Sequence, residues 1–172
     1  RVVGVRARIG GSEREIAARI VIAADGATSV IARALCSEKP PERHRGVAVR
    51  AYLDGIATLP STVEFHFAAR LAPGYAWIFP LGEHRANVGV IARTDRFKRR
   101  GTPLPALHEE FLATADVRKR LGSGARLSNV ASWQLPYATP SSTRRSYDGA
   151  LLIGDAGHFI DALTGEGIDN AV

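Results

Sequence analysis

The sequence predicts an α/β fold with an α+β insertion, and three observations carry that expectation. Two short continuous apolar runs, Arg19-Ile20-Val21-Ile22-Ala23-Ala24 and Ala150-Leu151-Leu152-Ile153, lie towards opposite ends of the chain. Each closes on a carboxylate beside glycine, as Asp25-Gly26 and Gly154-Asp155. Such runs fit strands of a parallel sheet buried on both faces, each with a helix beyond it. Between them the pattern changes to alternating stretches broken by turn residues, the mark of an antiparallel sheet.

The elements follow in order. Val3, Val5, Ala7 and Ile9 alternate with Arg6 and Arg8, Gly10-Gly11-Ser12 turns the chain, and Glu13 to Ile20 returns it as a hairpin. Asp25-Gly26 stops the first apolar run, and Thr28 or Ser29 can cap a helix through about Leu35. Lys39-Pro40-Pro41 reads as a domain crossing. Strands are expected over Gly46 to Leu53, Ser61 to Ala68 and Gly74 to Phe79, the last paired with Ala86 to Ala92 through a turn at Leu81 to Arg85. Leu104, Leu107, Phe111, Leu112 and Leu121 recur at near-helical spacing and predict one long helix from Pro103, ended by Gly122 and Gly124. A further strand follows near Leu127 to Leu135, and Asp148-Gly149 turns into the second apolar run. The expected domains are therefore 1–39 with 148–172, and an insertion over 40–147.

Composition narrows the function classes. With 172 residues, 45% of them hydrophobic and 23% charged, the chain can bury a sizeable core. No apolar run approaches the roughly 20 residues a spanning helix needs. The single cysteine, Cys36, excludes an internal disulfide framework and a Cys-rich zinc site, and reads as a buried small residue. The net charge is +6, and all basic residues except Lys39, Lys98 and Lys119 are arginine. The basic runs at 96–100 and 118–120 read as solvated helix flanks or loops. Without a nucleic-acid module or interleaved aromatics, no nucleic-acid partner is expected. The chain has no methionine, opens directly into apolar alternation and stops after what reads as a first helical turn. A segment of a longer protein is the expectation.

The two Asp/Gly segments carry the chemistry. In open α/β sheets ligands bind outside the carboxyl ends of the strands. A carboxylate there suits a sugar or ribityl hydroxyl, small residues let a ligand reach the backbone, and a helix N-terminus offers N–H groups. Tyr75, Trp77 and Phe79, two apart and ahead of Pro80, share one face of a strand. That face can form a flat, dry wall for a ring or an isoprenoid chain, and the same spacing also fits plain core packing.

Asp25-Gly26 with Ser29 and Arg33 resembles the Asp-Gly motif of the flavoprotein group that includes aromatic hydroxylases and geranylgeranyl reductases. Gly154-Asp155 with Gly165-Glu166-Gly167 resembles the second FAD motif of that group. Gly74-Tyr75-Ala76-Trp77-Ile78-Phe79-Pro80-Leu81, followed by Ala86-Asn87-Val88-Gly89-Val90, is similar to a stretch of the reductase branch. The resemblance implies a partial Rossmann-like FAD-binding domain with an inserted antiparallel-sheet substrate domain. It implies FAD held by Asp25, Gly26, Arg33, Gly154, Asp155 and the backbone of Leu163, Thr164, Gly165, Glu166, Gly167 and Ile168. Asp155 would bond the ribityl chain, Asp25 would shape the pyrophosphate side, and Tyr75, Trp77 and Phe79 would line the pocket over the flavin. Arg33 stands one residue later than in the commonest hydroxylase spacing. Ala162 replaces the usual proline before the Gly-Glu-Gly turn, and His158 reads as a local packing or bonding residue.

The implied activity is that of an FAD-dependent oxidoreductase saturating C=C bonds of a small hydrophobic substrate, isoprenoid or aromatic. NAD(P)H or a partner reductase would supply the electrons. The alternatives are a flavin-dependent hydroxylase or halogenase on the same scaffold, and a non-catalytic remnant or anion-binding module. A cytoplasmic location with peripheral membrane contact is expected. No metal site is expected, and no acid or base is identified. A Gly-x-Gly-x-x-Gly turn is absent, since Gly122-Ser123-Gly124 lacks the third glycine and follows a helix. The 172 residues alone are accordingly expected to purify colourless or aggregated, without tightly held FAD.

Overall fold

A computed structural model describes residues 1–36, 40–59, 61–138 and 144–171. The chain divides into two compact units, Arg1–His44 with Leu135–Val172, and Arg45–Gln134. Lys39, part of the expected domain crossing, lies outside the described residues.

The first unit opens on a hairpin of β1 (Gly4–Ile9) and β2 (Ser12–Ala17). Ile9 pairs with Ser12, so Gly10 and Gly11 alone form the loop, with φ of 57° and 84°. Two-residue loops that match strand twist need positive φ at both positions, which glycine adopts without strain. Arg6–Glu15 and Arg8–Glu13 face each other across the register, at 2.7 and 3.3 Å. Both pairs are exposed, so they guide pairing more than they stabilise.

β3 (Val21–Ala23) pairs in parallel with β10 (Ala150–Leu152), which pairs in turn with the antiparallel β9 (Ser146–Tyr147). Ala23, Leu152 and Ala156 form a small core beneath α1 (Val30–Leu35), with Ile31, Ala32 and Leu35 packed on it. The expectation of burial on both faces fails. Ile22 and Leu151 are register partners on the other face and are 57% and 41% exposed. In a strand, alternate side chains go to opposite faces, and α1 covers one face only. The helix expected beyond the second run is a single 3-10 turn, Gly154–Gly157, with another at Asp169–Ala171. Cys36 is half-buried rather than buried and lies 3.0 Å from the Tyr147 hydroxyl. Burial and that thiol push the Tyr147 phenol up to about 12.

The second unit is a five-stranded sheet in the order β5-β6-β7-β4-β8. Its strands are β4 (Arg45–Asp54), β5 (Glu64–His66), β6 (Gly74–Pro80), β7 (Arg85–Arg93) and β8 (Arg126–Pro136), the last two residues of which belong to the first unit. β4, β6 and β5 are antiparallel to their neighbours β7, β7 and β6. Val49, Ala51, Leu53, Ala76, Ile78, Val88 and Val90 turn one face inward. Leu104, Leu107 and Phe111 of α3 (Leu104–Leu112), with Val117 and Leu121 of α4 (Ala115–Leu121), complete that core.

The expected single helix from Pro103 to Leu121 is therefore two. Thr114, with ψ of 142°, leaves helical geometry, and its Oγ1 donates to the Phe111 carbonyl at 2.8 Å. A threonine hydroxyl competing for local backbone interrupts the helix while both halves keep their apolar faces inward. Of the basic runs, 96–100 falls in the helix α2 (Thr94–Arg100), where Asp95 holds Arg93 and Arg99. Arg120 turns onto Glu64 of β5 at 2.6 and 3.0 Å, so that run is only partly a solvated flank. No helix among the described residues is long and apolar enough to cross a membrane.

Candidate functional site

In the first unit, parallel pairing sends both Asp/Gly segments off the same end of the sheet. Leu152 pairs with Ala23, and Ile153 N–H continues the ladder to the Ala23 carbonyl at 3.0 Å. Asp25 and Gly154 each follow two residues after that pair.

The two carboxylates differ in what they do. Asp25 Oδ2 accepts from the Val30 and Ile31 amides at 2.8 and 3.4 Å, while its Oδ1 accepts a hydrogen bond from the Ser29 hydroxyl. Ser29 Oγ accepts from the Ala32 amide at 2.8 Å, making it the N-cap of α1. The first amides of α1 are thus engaged within the chain and are not the free N–H groups the sequence promised. Burial opposes the charged form of Asp25, but the Ser29 hydroxyl and the Val30 and Ile31 amides outweigh it and hold the carboxyl below its usual range. Gly26 turns the chain at φ 79°, and Arg33 is exposed on α1. Ser29→Ala is expected to cost about 1 kcal/mol in urea denaturation. Asp25 stabilises above the ordinary aspartate range, and that contribution is lost as pH falls through its lowered folded value. An unaltered midpoint for Ser29→Ala would show that the cap is idle.

Asp155 stands in the 3-10 turn after β10, half-buried, and its carboxylate has no hydrogen-bond or ionic partner among the described residues. Burial raises its pKa. A carboxylate placed so is a ready acceptor for a ligand hydroxyl. Arg145 braces the turn by donating through Nε to the Gly157 carbonyl at 2.8 Å and through Nη2 to that of His158 at 3.2 Å. Its guanidinium also lies 4.4 Å from the centre of the Phe159 ring. His158 holds φ 57° at the end of this turn.

The stretch from Leu163 to Ile168 is organised by Asp161. Its Oδ1 accepts from the Leu163 amide at 3.0 Å and from the Thr164 amide and hydroxyl at 2.7 and 2.9 Å. The Thr164 amide and hydroxyl and the Leu163 amide hold the Asp161 carboxyl below its usual range. Glu166 Oε1 then accepts from the Ile168 amide at 2.6 Å. These bonds brace the loop from within. Gly165, at φ 72°, makes the turn, and Gly167 packs where a Cβ would meet Ile160 Cγ1 at 2.8 Å. Leu163 and Ile168 stand 87% and 80% exposed, two large apolar side chains on a loop braced from within. Sequence reading missed Asp161 and Arg145. The spacing of Asp161 before Leu163-Thr164 fits a local Asx turn, a signal that could have found it.

In the second unit, Tyr75, Trp77 and Phe79 lie together on the sheet face opposite the core formed by Ala76 and Ile78. Phe65 of β5 joins them edge-on, its ring centre 5.3 Å from those of both Tyr75 and Phe79. Trp77 Nε1 donates to Asn87 Oδ1 at 2.8 Å, and its ring lies over Gly89, where a Cβ would strike it. Burial raises the Tyr75 phenol. The row thus lies half-buried on the face of the sheet turned away from the core of this unit.

Comparison with known proteins matches residues 46–121 to the geranylgeranyl reductase catalytic domain family. A digeranylgeranylglycerophospholipid reductase of Methanothermobacter thermautotrophicus is 37% identical over 171 residues, covering 97% of this chain and 41% of the relative. The chain is thus similar to such reductases over nearly all of its own length. A solved geranylgeranyl bacteriochlorophyll reductase-like protein from Thermoplasma acidophilum superposes with a TM-score of 0.83 at 25% identity, over 98% of this chain and 42% of that one. A flavin-dependent halogenase superposes with a TM-score of 0.71 at 25% identity, over 96% of this chain and 30% of that one. The chain spans 41% of the length of the first of these relatives.

Proposed function

We propose that this chain is part of an FAD-dependent oxidoreductase that saturates C=C bonds of a hydrophobic substrate, isoprenoid or aromatic. The observation that carries the reading is the aromatic row of Tyr75, Trp77 and Phe79, turned away from the core inside the segment that matches the geranylgeranyl reductase catalytic domain. A wall of rings offers broad apolar contact to a polyprenyl chain or an aromatic system.

The residues of the first unit fit FAD. Asp155 supplies a half-buried acceptor for a ribityl hydroxyl. Leu163 to Ile168 supply a braced backbone with exposed apolar side chains for a flat ring. Asp25 acts through the shape it gives Gly26 and α1, on the pyrophosphate side with Arg33. When bound, the flavin supplies the electron pair for the reduction, replenished by NAD(P)H or a partner reductase. The chain's own residues bind, orient and exclude water. A cytoplasmic enzyme that meets its lipid by peripheral contact with a membrane surface completes the reading.

The similarity to a flavin-dependent halogenase favours a second reading, in which reduced flavin reacts first with oxygen. One experiment separates them. The intact flavoprotein containing this chain is reduced anaerobically and given a polyprenyl lipid, and the product is read by mass spectrometry. One added H2 per double bond without oxygen supports the reductase. Turnover that needs oxygen, with coupled oxygen uptake, overturns it in favour of the second reading.

A further inference from the structure

Arg145 grips both ends of the turn that carries Asp155. Its main-chain carbonyl accepts from the amide of Leu152, the last residue of β10, at 2.8 Å. That bond extends the β9–β10 ladder to the point where the chain enters the turn. Its side chain takes the other end, where Nε donates to the Gly157 carbonyl and Nη2 to the His158 carbonyl. Carbonyls that close a short helical turn have no partner within it, and a guanidinium fork can satisfy two of them together.

The exit of the turn is the part that needs support. His158 holds φ 57° and ψ 56°, a left-handed conformation that a residue with a Cβ keeps only where its surroundings fix it. The Phe159 ring is caught between the Arg145 guanidinium, 4.4 Å from its centre, and Gly157. A Cβ on Gly157 would meet that ring at 2.6 Å and the Leu152 carbonyl oxygen at 2.7 Å, so the turn has little room to shift. Arg145 directs its donors to backbone carbonyls and not to the Asp155 carboxylate. Burial alone accounts for the raised Asp155 pKa, with no cation offsetting it. The support therefore leaves the carboxylate open to a ligand.

We infer that Arg145 is a positioning residue for FAD, holding the left-handed exit at His158 so that the Asp155 carboxylate stays where a ribityl hydroxyl meets it. This rests on the reading of Asp155 as the ribityl partner. The inference requires no contact between Arg145 and the flavin, because the arginine acts through the backbone of the turn.

The test uses the intact flavoprotein containing this chain, stripped of FAD and titrated with FAD by quenching of flavin fluorescence well below its melting temperature. Arg145→Gln is expected to weaken FAD binding about tenfold. Arg145→Lys keeps the charge but cannot fork two carbonyls, so it is expected to recover only part of that loss. Glycine adopts the left-handed conformation without support, so adding His158→Gly to Arg145→Gln should restore the affinity of His158→Gly alone. Thermal melts of the flavin-free forms run alongside. A lowered melting temperature with unchanged FAD affinity in Arg145→Gln makes the role merely structural and overturns the inference. Full affinity in Arg145→Lys, or no rescue by His158→Gly, also overturns it. In all three cases weakened binding in Asp155→Asn leaves the Asp155 reading standing. FAD affinity that survives Asp155→Asn overturns that reading and the inference with it. Should Arg145→Gln fail to fold, Arg145→Lys decides alone: affinity equal to the unsubstituted protein overturns the inference, and a loss supports it.

Discussion

Gly89→Ala is expected to destabilise the chain by about 2 kcal/mol and to lift Trp77 off the sheet. Gly89 lies on β7 between β6 and β4, at the middle of the five-stranded sheet. A Cβ there would fall inside the Trp77 ring and 2.5 Å from the Val49 carbonyl oxygen. The ring can swing away, but the carbonyl belongs to a paired central strand and cannot yield without disturbing the ladder. Both neighbours must adjust, which is the situation in which overpacking costs most. Moving the indole also breaks its bond to Asn87. The midpoint of urea denaturation reads the first effect. Tryptophan emission in a Trp133→Phe background reads the second, as a red shift when Trp77 meets water. If both stay unchanged, Gly89 is not the floor on which Trp77 rests.

That position also shows what sequence can and cannot carry. The alternation Tyr75, Trp77, Phe79 fixes a shared face, because strand geometry is local. Whether the face is core or surface depends on where α3 and α4 pack, and they cover Ala76 and Ile78 instead. Gly10-Gly11 and the Ser29 cap were legible for the same local reason: loop chemistry and capping are written in adjacent residues. The failures are non-local, or concern a competition between local bonds. Ile22 and Leu151 looked doubly buried from composition, whereas exposure depends on which faces neighbouring elements cover. The periodicity of Leu104 to Leu121 continues through Thr114, yet a single hydroxyl bonded to Phe111 breaks the helix. Arg145 was silent because its partners, the carbonyls of Gly157 and His158, are backbone groups that no residue type announces. Asp25 and Asp155 read alike in sequence and diverge in structure. The difference is that Ser29 and the start of α1 reach back to the first, whereas the second stands within a 3-10 turn.

The divergence yields the second large effect. Asp155→Asn is expected to stabilise the flavin-free chain while weakening FAD binding by roughly ten- to a hundredfold. Burial raises the Asp155 pKa, and among the described residues no partner offsets the cost of its charged form. A carboxyl whose folded pKa is raised contributes most at low pH, and that contribution is lost as pH rises through the folded value. Asparagine removes the charge at nearly the same volume, and a gain of up to about 1 kcal/mol above that pH is the expected size. In the proposed FAD site the balance would reverse, since a ribityl hydroxyl donating to the carboxylate would favour its charged form and the amide oxygen would accept more weakly. Thermal melts of the intact flavoprotein and its Asp155→Asn variant, with FAD removed and restored, read both signs in one series. A purely structural Asp155 would lose stability in both states, and a residue remote from the flavin would leave FAD affinity untouched. Stability gained without flavin and affinity lost with it is the pattern of a site held at a cost for its ligand.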